Sequence, residues 1–348
     1  MPTHTESTSE DSWIQQVNES LRMPRIKRQE RVLDLFAGCG GLALGFESMG
    51  FKTQGFETNQ NYVETYRLNL EGTCVCEHLT LQTHYPDAEI VIGGPPCQPF
   101  SVGGNQKGLE DSRDGFPAFL AAIEQLNPSI FLFENVRGLL YRNKWYFEQI
   151  RQELEKHGYI VEAQLLNAKH YGVPQNRERV IVVGHRGGFR FPIPHTKVIS
   201  AGTALGPMFE QVPDDAKWLT PSMDAYIAKY EKASCCKNPR DLYADRPART
   251  VTCRNLAGAT GDMHRIRLPD GRRRRITVRE AARLQSFPDW FEFKGRETDQ
   301  YYQIGNAVAP LFSKTLAQSV IDYLDRGAQY THEEILKGKG STKQLALF

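Results

Sequence analysis

The chain has 348 residues, 40% hydrophobic and 24% charged, with a formal net charge of +2. That suffices for one large domain plus a smaller one, and no apolar run approaches the roughly 18 residues that cross a bilayer. With so little net charge, a nucleic acid would have to be held by local basic patches rather than by a global field. The N-terminus, Met1 to Ser12, is polar and carries no secretory signal. There are seven cysteines. Neither Cys74-Val-Cys76 nor Cys235-Cys236 has a second pair at zinc spacing, so a reduced, metal-free cytoplasmic protein is expected.

Residues 1–30 lack a core pattern and end in the basic Arg25-Ile-Lys-Arg28. A mobile arm is expected there, with a helical stretch around Trp13 to Leu21. Arg31 to Ala37 reads as a strand, Gly38-Cys-Gly-Gly41 as a turn, and Leu42 to Met49 as a helix. Such a junction lets backbone N–H groups approach a ligand closely. Its spacing, Gly38-x-Gly40-Gly41-x-x-x-Gly45, departs from the Gly-x-Gly-x-x-Gly of nicotinamide binders and disfavours an oxidoreductase. The second strand, Phe51 to Phe56, ends in Glu57. That acid is placed either to accept two ribose hydroxyls or to cap the next helix, and the glycine turn favours the ribose.

Ile90-Val91-Ile92 is a short, doubly buried strand of a parallel sheet. It stops at Gly93-Gly94-Pro95-Pro96, which cannot continue a ladder and force a fixed exit. The next side chain is Cys97, at the strand end where open α/β sheets place their ligands. A thiol held this way suits a nucleophile; the ordinary alternative is a buried structural cysteine. Val102 to Arg113 is polar, with Gly103, Gly104 and Gly108 as hinges of a lid and Lys107 and Arg113 in reach of phosphates. The plain alternative is a surface loop. Ser129 to Val136 is another buried strand, and it ends in Glu134 and Asn135. If the two strands are neighbours, Cys97 and Glu134 share one crevice. A helix, Trp145 to His157, and a strand, Tyr159 to Leu166, follow. Tyr171 to Arg179 then leads into the strand Val180 to Gly184. Arg177 and Arg179, two residues apart in extended chain, share a face and are expected to point together into the crevice.

From His185 to Gly271 Pro192, Pro194, Pro207, Pro213, Pro221, Pro239 and Pro247 interrupt the periodicity, which suggests a smaller, loop-rich domain. It contains Arg246 to Arg254 and the run Arg272-Arg273-Arg274-Arg275, read as phosphate-binding although such runs are usually solvated faces. Thr277 with Glu280 three residues later forms a capping box for a helix reaching towards Pro288. Tyr302 to Pro310 is expected to open a long helix ending near Asp325.

Pro95-Pro96-Cys97-Gln98, in order with Asp34-Leu-Phe-Ala-Gly-Cys-Gly-Gly41, Glu134-Asn-Val136 and Gln175-Asn-Arg177-Glu-Arg179, resembles the cytosine-5 DNA methyltransferases of bacterial restriction–modification systems. The resemblance spans about Arg31 to Asp325. It implies a Rossmann-like S-adenosylmethionine-dependent methyltransferase sheet with a smaller, loop-rich target-recognition domain. The expected organisation is an arm at 1–30, a catalytic domain at 31–184, a recognition domain at 185–272, a return at 273–326 and a flexible tail at 327–348. By resemblance, S-adenosyl-L-methionine contacts Phe36, Gly38, Gly40, Gly41, Leu42, Glu57, Pro95, Asn306 and Val308. Cys97 is the nucleophile, Glu134, Arg177 and Arg179 serve the base, and Gln98, Ser101, Lys107, Arg113, Arg254, Arg272, Arg273 and Arg274 face duplex DNA. An Asp usual on the third strand is missing from Cys74-Val-Cys-Glu-His-Leu79, so the adenine contact is left unassigned. A monomer is expected. A tRNA cytosine-5 methyltransferase would keep the same catalytic motifs, and a catalytically dead DNA-binding module is disfavoured by the intact Cys97, Glu134 and Arg179.

Past the polar linker Lys337 to Lys343 the chain ends in Gln344-Leu345-Ala-Leu347-Phe348. These residues resemble the short peptide by which bacterial proteins dock on the replication sliding clamp. The alternatives are that they fold back onto the catalytic domain or do nothing.

Overall fold

The computed structural model describes residues 12–96, 114–233, 240–258 and 261–327. A helix, α1 (Trp13–Ser20), precedes β1 (Arg31–Leu35), α2 (Gly41–Glu47), β2 (Lys52–Glu57), α3 (Gln60–Asn69), β3 (Thr73–Cys76) and β4 (Ile90–Gly93). Then come α4 (Phe116–Leu126), β5 (Ile130–Val136), α5 (Lys144–Lys156), β6 (Ile160–Asn167), β7 (Gln175–Asn176) and β8 (Glu178–His185). The main sheet has seven strands in the order β3-β2-β1-β4-β5-β8-β6. The strands β1 to β5 run parallel, and β8 is antiparallel to both its neighbours. Strand order reverses between β2-β1 and β1-β4, which is where a doubly wound sheet opens its crevice. β4 and β5 pair directly, Gly93 opposite Phe133.

Uninterrupted apolar runs explain the central strands. All of Ile90–Gly93 and the first four residues of β5 are buried, as expected for a sheet covered on both faces. On one face Phe133 meets Phe116 at 5.2 Å and Phe119 at 5.4 Å, both edge-on. Each such pair adds about 0.5–1.5 kcal/mol beyond the area it buries.

The chain then builds the second lobe: α6 (Ala201–Leu205), α7 (Pro221–Ala233), β9 (Asp241–Leu242), β10 (Ala248–Arg249), α8 (Cys253–Ala257), β11 (Arg265–Arg267) and β12 (Arg273–Arg275). It returns through α9 (Val278–Leu284), α10 (Glu297–Asn306) and α11 (Pro310–Gly327). β12, β11 and β9 form a three-stranded sheet, and β10 pairs with β7. The boundary expected at residue 272 falls inside the β11–β12 hairpin, where Arg265 opposes Arg275. Pro221, read from sequence as an interruption, instead opens α7, since the first helical position needs no N–H.

Two other expectations change. Around residues 12–30 the chain packs rather than standing off as an arm. Ser12 and Gln15 form a capping box for α1. Val17 and Leu21, one helical turn apart, are buried at 2% and 1% exposure. The helix expected from Tyr302 to Asp325 is broken at 307–309, because Pro310 cannot donate into a continuing ladder. That break puts backbone carbonyls and the Asn306, Ala307 and Val308 side chains beside the sheet.

Candidate active site

A cavity of about 550 Å³ opens at the carboxyl ends of β1, β2, β4 and β5. Its walls include Phe36, Gly38, Gly41, Leu42, Glu57, Pro95, Glu134, Asn306 and Val308. Gly40 adopts a left-handed φ of 90° to cap α2, and this conformation costs glycine least. A Cβ on Gly41 would come within 2.5 Å of the Val308 carbonyl oxygen. The return segment therefore closes onto the glycine turn only because that position is bare.

Glu57 both lines the cavity and braces its floor. One oxygen accepts the Gly38 N–H at 2.9 Å, and the other accepts the N–H groups of Thr58 and Asn59. Glu57 does not cap α3; Asn59 does, its side chain accepting the Asn61 N–H, so the capping alternative falls. Where the third-strand Asp is missing, Glu77, His78 and Leu79 line the cavity. Tyr62 and Gln303 also line it; Tyr62 belongs to no motif and is brought in by the packing of α3, while Gln303 falls within the 302–310 segment without being singled out there. Burial pushes the Tyr62 phenol up to about 12.

Asp34 is 1% exposed, and neither carboxylate oxygen meets a partner at hydrogen-bonding geometry. Desolvation, aided by Glu57, raises its pKa well above 3.8, and the Ala43 amide opposes this only in part. The folded protein therefore holds this proton more tightly than the unfolded chain does. The associated stability is complete below about 3.8 and is lost as pH rises through the higher folded value. Asp34→Asn is expected to stabilise the protein near neutral pH, because the amide has no proton that the folded state must hold while the unfolded chain releases it. Unfolding midpoints measured from pH 5 to 8 check this: the advantage of the variant should widen with pH, and a constant gap would mean a charged Asp34 throughout.

At the far end of the cavity the Arg179 Nε lies 2.6 Å from Glu134 Oε1, and both side chains are about one-eighth exposed, at 13% and 12%. The antiparallel β5–β8 pairing sets Val136 opposite Arg179, which aligns the two groups. Asn135 donates to the Pro95 carbonyl at 3.0 Å and so holds the exit of β4. Pro96 lines the cavity next to Glu134. Cys97, Gln98, Ser101, Lys107 and Arg113 lie outside the described residues.

Arg177 does not share this crevice. It is 2% exposed and donates to the carbonyls of Val251, Gly305 and Ala307. Residues 176 to 179 cross from β7 to β8, and this sends the two arginines to different environments. The arginine run is corrected as well. Arg274 is fully buried against Glu280, and Arg273 is paired with Asp224 and Asp241. Arg272 is exposed, paired with Asp270 and stacked on Trp218 at 4.2 Å. Arg254 is exposed on α8.

The sequence profile of the C-5 cytosine-specific DNA methylases matches residues 30–234 and 232–322. The chain belongs to this family. The methylase is 53% identical over 300 residues to the Type II methyltransferase M.AplI of Arthrospira platensis, covering 85% of this chain and 86% of that one. It is 33% identical over 368 residues to the Type II methyltransferase M.NgoFVII of Neisseria gonorrhoeae, covering 94% of each. A mutant DNMT2 from Spodoptera frugiperda superposes with a TM-score of 0.67 over 84% of the methylase and 100% of that chain, at 18% identity. That likeness establishes the fold alone. By family the methylase is a DNA (cytosine-5-)-methyltransferase of restriction–modification type.

Proposed function

We propose that the methylase transfers a methyl group from S-adenosyl-L-methionine to C5 of a cytosine within a specific duplex DNA sequence, through Cys97 and a flipped base. The observation that carries this reading is one cavity with two differently equipped ends. Glu57, the glycine turn and the buried Asp34 suit the ribose and the polar groups of a nucleoside. Glu134 and Arg179 stand at the other end, beside the Pro96 that leads to Cys97. S-adenosyl-L-methionine would supply an electrophilic methyl on sulfonium, with the S–CH3 pair staying on sulfur and neutral S-adenosyl-L-homocysteine as the leaving group.

Cytosine C5 is a poor nucleophile while the ring is aromatic. The Cys97 thiolate adds to C6, the S–C6 bond forms, and the C5–C6 π pair becomes available at C5. Glu134 meets N3 and the exocyclic amine, and Arg179 meets O2, so charge that builds on the ring faces groups already in place. Once C5 carries the methyl, its proton leaves to a base, the C5–C6 π bond re-forms and the Cys97 thiolate departs. None of these ring atoms is accessible in a stacked duplex, so the base must leave the helix. The exposed Arg254 and Arg272 are available to phosphates.

The test is methyl transfer by purified protein to duplex DNA and to tRNA, with bisulfite sequencing of DNA from an expressing host. Transfer to duplex cytosine at a recurrent site is expected, and transfer to tRNA alone would overturn the reading.

We further propose that Gln344, Leu345, Leu347 and Phe348, outside the described residues, dock on the bacterial sliding clamp, the glutamine by hydrogen bonding and the apolar side chains in a pocket. Full-length protein should retain clamp in a pull-down and a chain ending at Lys343 should not. Equal retention by both would sink the proposal.

A further inference from the structure

Three buried side chains join the recognition lobe to the wall of the cofactor cavity. Gln175 and Gln285 are 0% exposed and Arg177 is 2% exposed. On the lobe side, Gln175 accepts the Val251 N–H at 2.8 Å, and Arg177 donates to the Val251 carbonyl at 2.7 Å. Both backbone groups of one lobe residue are thus held by side chains of the catalytic domain. On the cavity side, Arg177 donates to Gly305 and Ala307, and Gln285 donates to Ile304 and Ala307. These carbonyls flank Asn306, at the end of α10, where helical acceptors lack partners of their own. Gln175 also donates to Gln285 at 2.6 Å, which closes the cluster.

The two sides are in hard contact as well. A Cβ on Gly305 would approach the Cys253 backbone nitrogen within 2.1 Å, so the start of α8 sits directly on the end of α10. Val251 is three residues from the exposed Arg254, and Asn306, Ala307 and Val308 line the cavity. Among the described residues, the hydrogen-bond partners of the Arg177 guanidinium are carbonyls and include no carboxylate. Moving Val251 would leave buried polar groups unmet unless the 305–307 carbonyls moved with it, which is how a displacement is transmitted rather than absorbed.

We infer that Arg177, with Gln175 and Gln285, is a positioning residue that couples DNA engagement by the recognition lobe to closure of the cofactor wall, so that the two ligands bind cooperatively through this cluster. The inference rests on the function proposed above, which the wild-type measurement tests first.

The dissociation constant of S-adenosyl-L-homocysteine is measured calorimetrically with and without a duplex carrying the site found by bisulfite sequencing. Wild type should bind it at least about fivefold tighter on DNA, the lower end of ordinary coupling. Gln175→Leu removes the acceptor of the Val251 N–H and the donor to Gln285, keeps the Arg177 bond to the Val251 carbonyl, and leaves the carbonyls of 304, 305 and 307 with Arg177 and Gln285. It should keep the DNA-free affinity within about twofold while the ratio falls. Arg177→Met should lose the ratio too, and Arg177→Lys should recover part of it. If Arg177→Met fails to fold, the other two variants decide. A ratio unchanged in Gln175→Leu and Arg177→Lys, or a ratio of one in a wild type that methylates the duplex, overturns the inference. A wild type that methylates no duplex DNA would instead remove the function on which it rests.

Discussion

Cys97→Ser is expected to lower methyl transfer by at least about 10³-fold while leaving duplex binding nearly unchanged. A hydroxyl is a far weaker nucleophile than a thiolate at neutral pH, and nothing else in the proposed sequence of steps breaks the aromaticity of the ring. Methyl transfer is read with labelled S-adenosyl-L-methionine, and binding by gel shift. Duplex DNA containing 5-fluorocytosine should give a covalent adduct with wild type, because fluorine replaces the proton whose loss releases Cys97. An adduct formed by Cys97→Ala would show that another group is the nucleophile. The residues beside this step act through position. Asn135 fixes the Pro95 carbonyl, and the β5–β8 register brings Arg179 to Glu134.

Arg274→Ala should destabilise the protein by about 3–5 kcal/mol, because it leaves Glu280 as an uncompensated buried charge. Both side chains are 0% exposed. The pair is bidentate, at 2.7 and 2.9 Å, and Arg274 also donates to the Met208 and Gln211 carbonyls. Glu280 in turn accepts the Thr277 N–H at 2.7 Å, so the capping box of α9 and the sheet of the second lobe share one carboxylate. Urea midpoints measure the effect. Arg274→Met with Glu280→Leu should recover part of the loss, since it removes the unpaired charge but leaves the Met208 and Gln211 carbonyls and the Thr277 N–H without these partners. A destabilisation below about 1 kcal/mol in Arg274→Ala would show the pair to be solvated. By contrast, Arg272→Ala is expected to leave the midpoint unchanged and to reduce the salt slope of duplex binding by about one. Replacing the whole run at once would confuse a folding defect with a binding one.

Much of the fold was legible because its signals are local. Ile90-Val91-Ile92 is apolar throughout and stops at glycine and proline, so a buried strand with a sharp exit follows from residues in contact along the chain. The capping box of Thr277 and Glu280 works the same way, with its partners three residues apart. The apolar runs likewise place Glu57 and Glu134 at strand ends. The helix break at 307–309 has a local cause in Pro310, whereas the contact the broken segment makes with Gly41 depends on the folded chain. α1 escaped notice as a packed element because the surfaces that bury Val17 and Leu21 come from distant parts of the chain.

What only the tertiary structure decided is the role of each arginine. Arg177 and Arg179 are alike in type and two residues apart, yet one binds carbonyls 74 and 130 residues away and the other faces Glu134. Arg272 and Arg274 divide in the same way between solvent and Glu280. A strand or a cap is set by the residue and its neighbours in sequence. The surroundings of a guanidinium are set by whichever backbone or carboxylate the folded chain carries to it: the Val251, Gly305 and Ala307 carbonyls for Arg177, and Glu134 for Arg179.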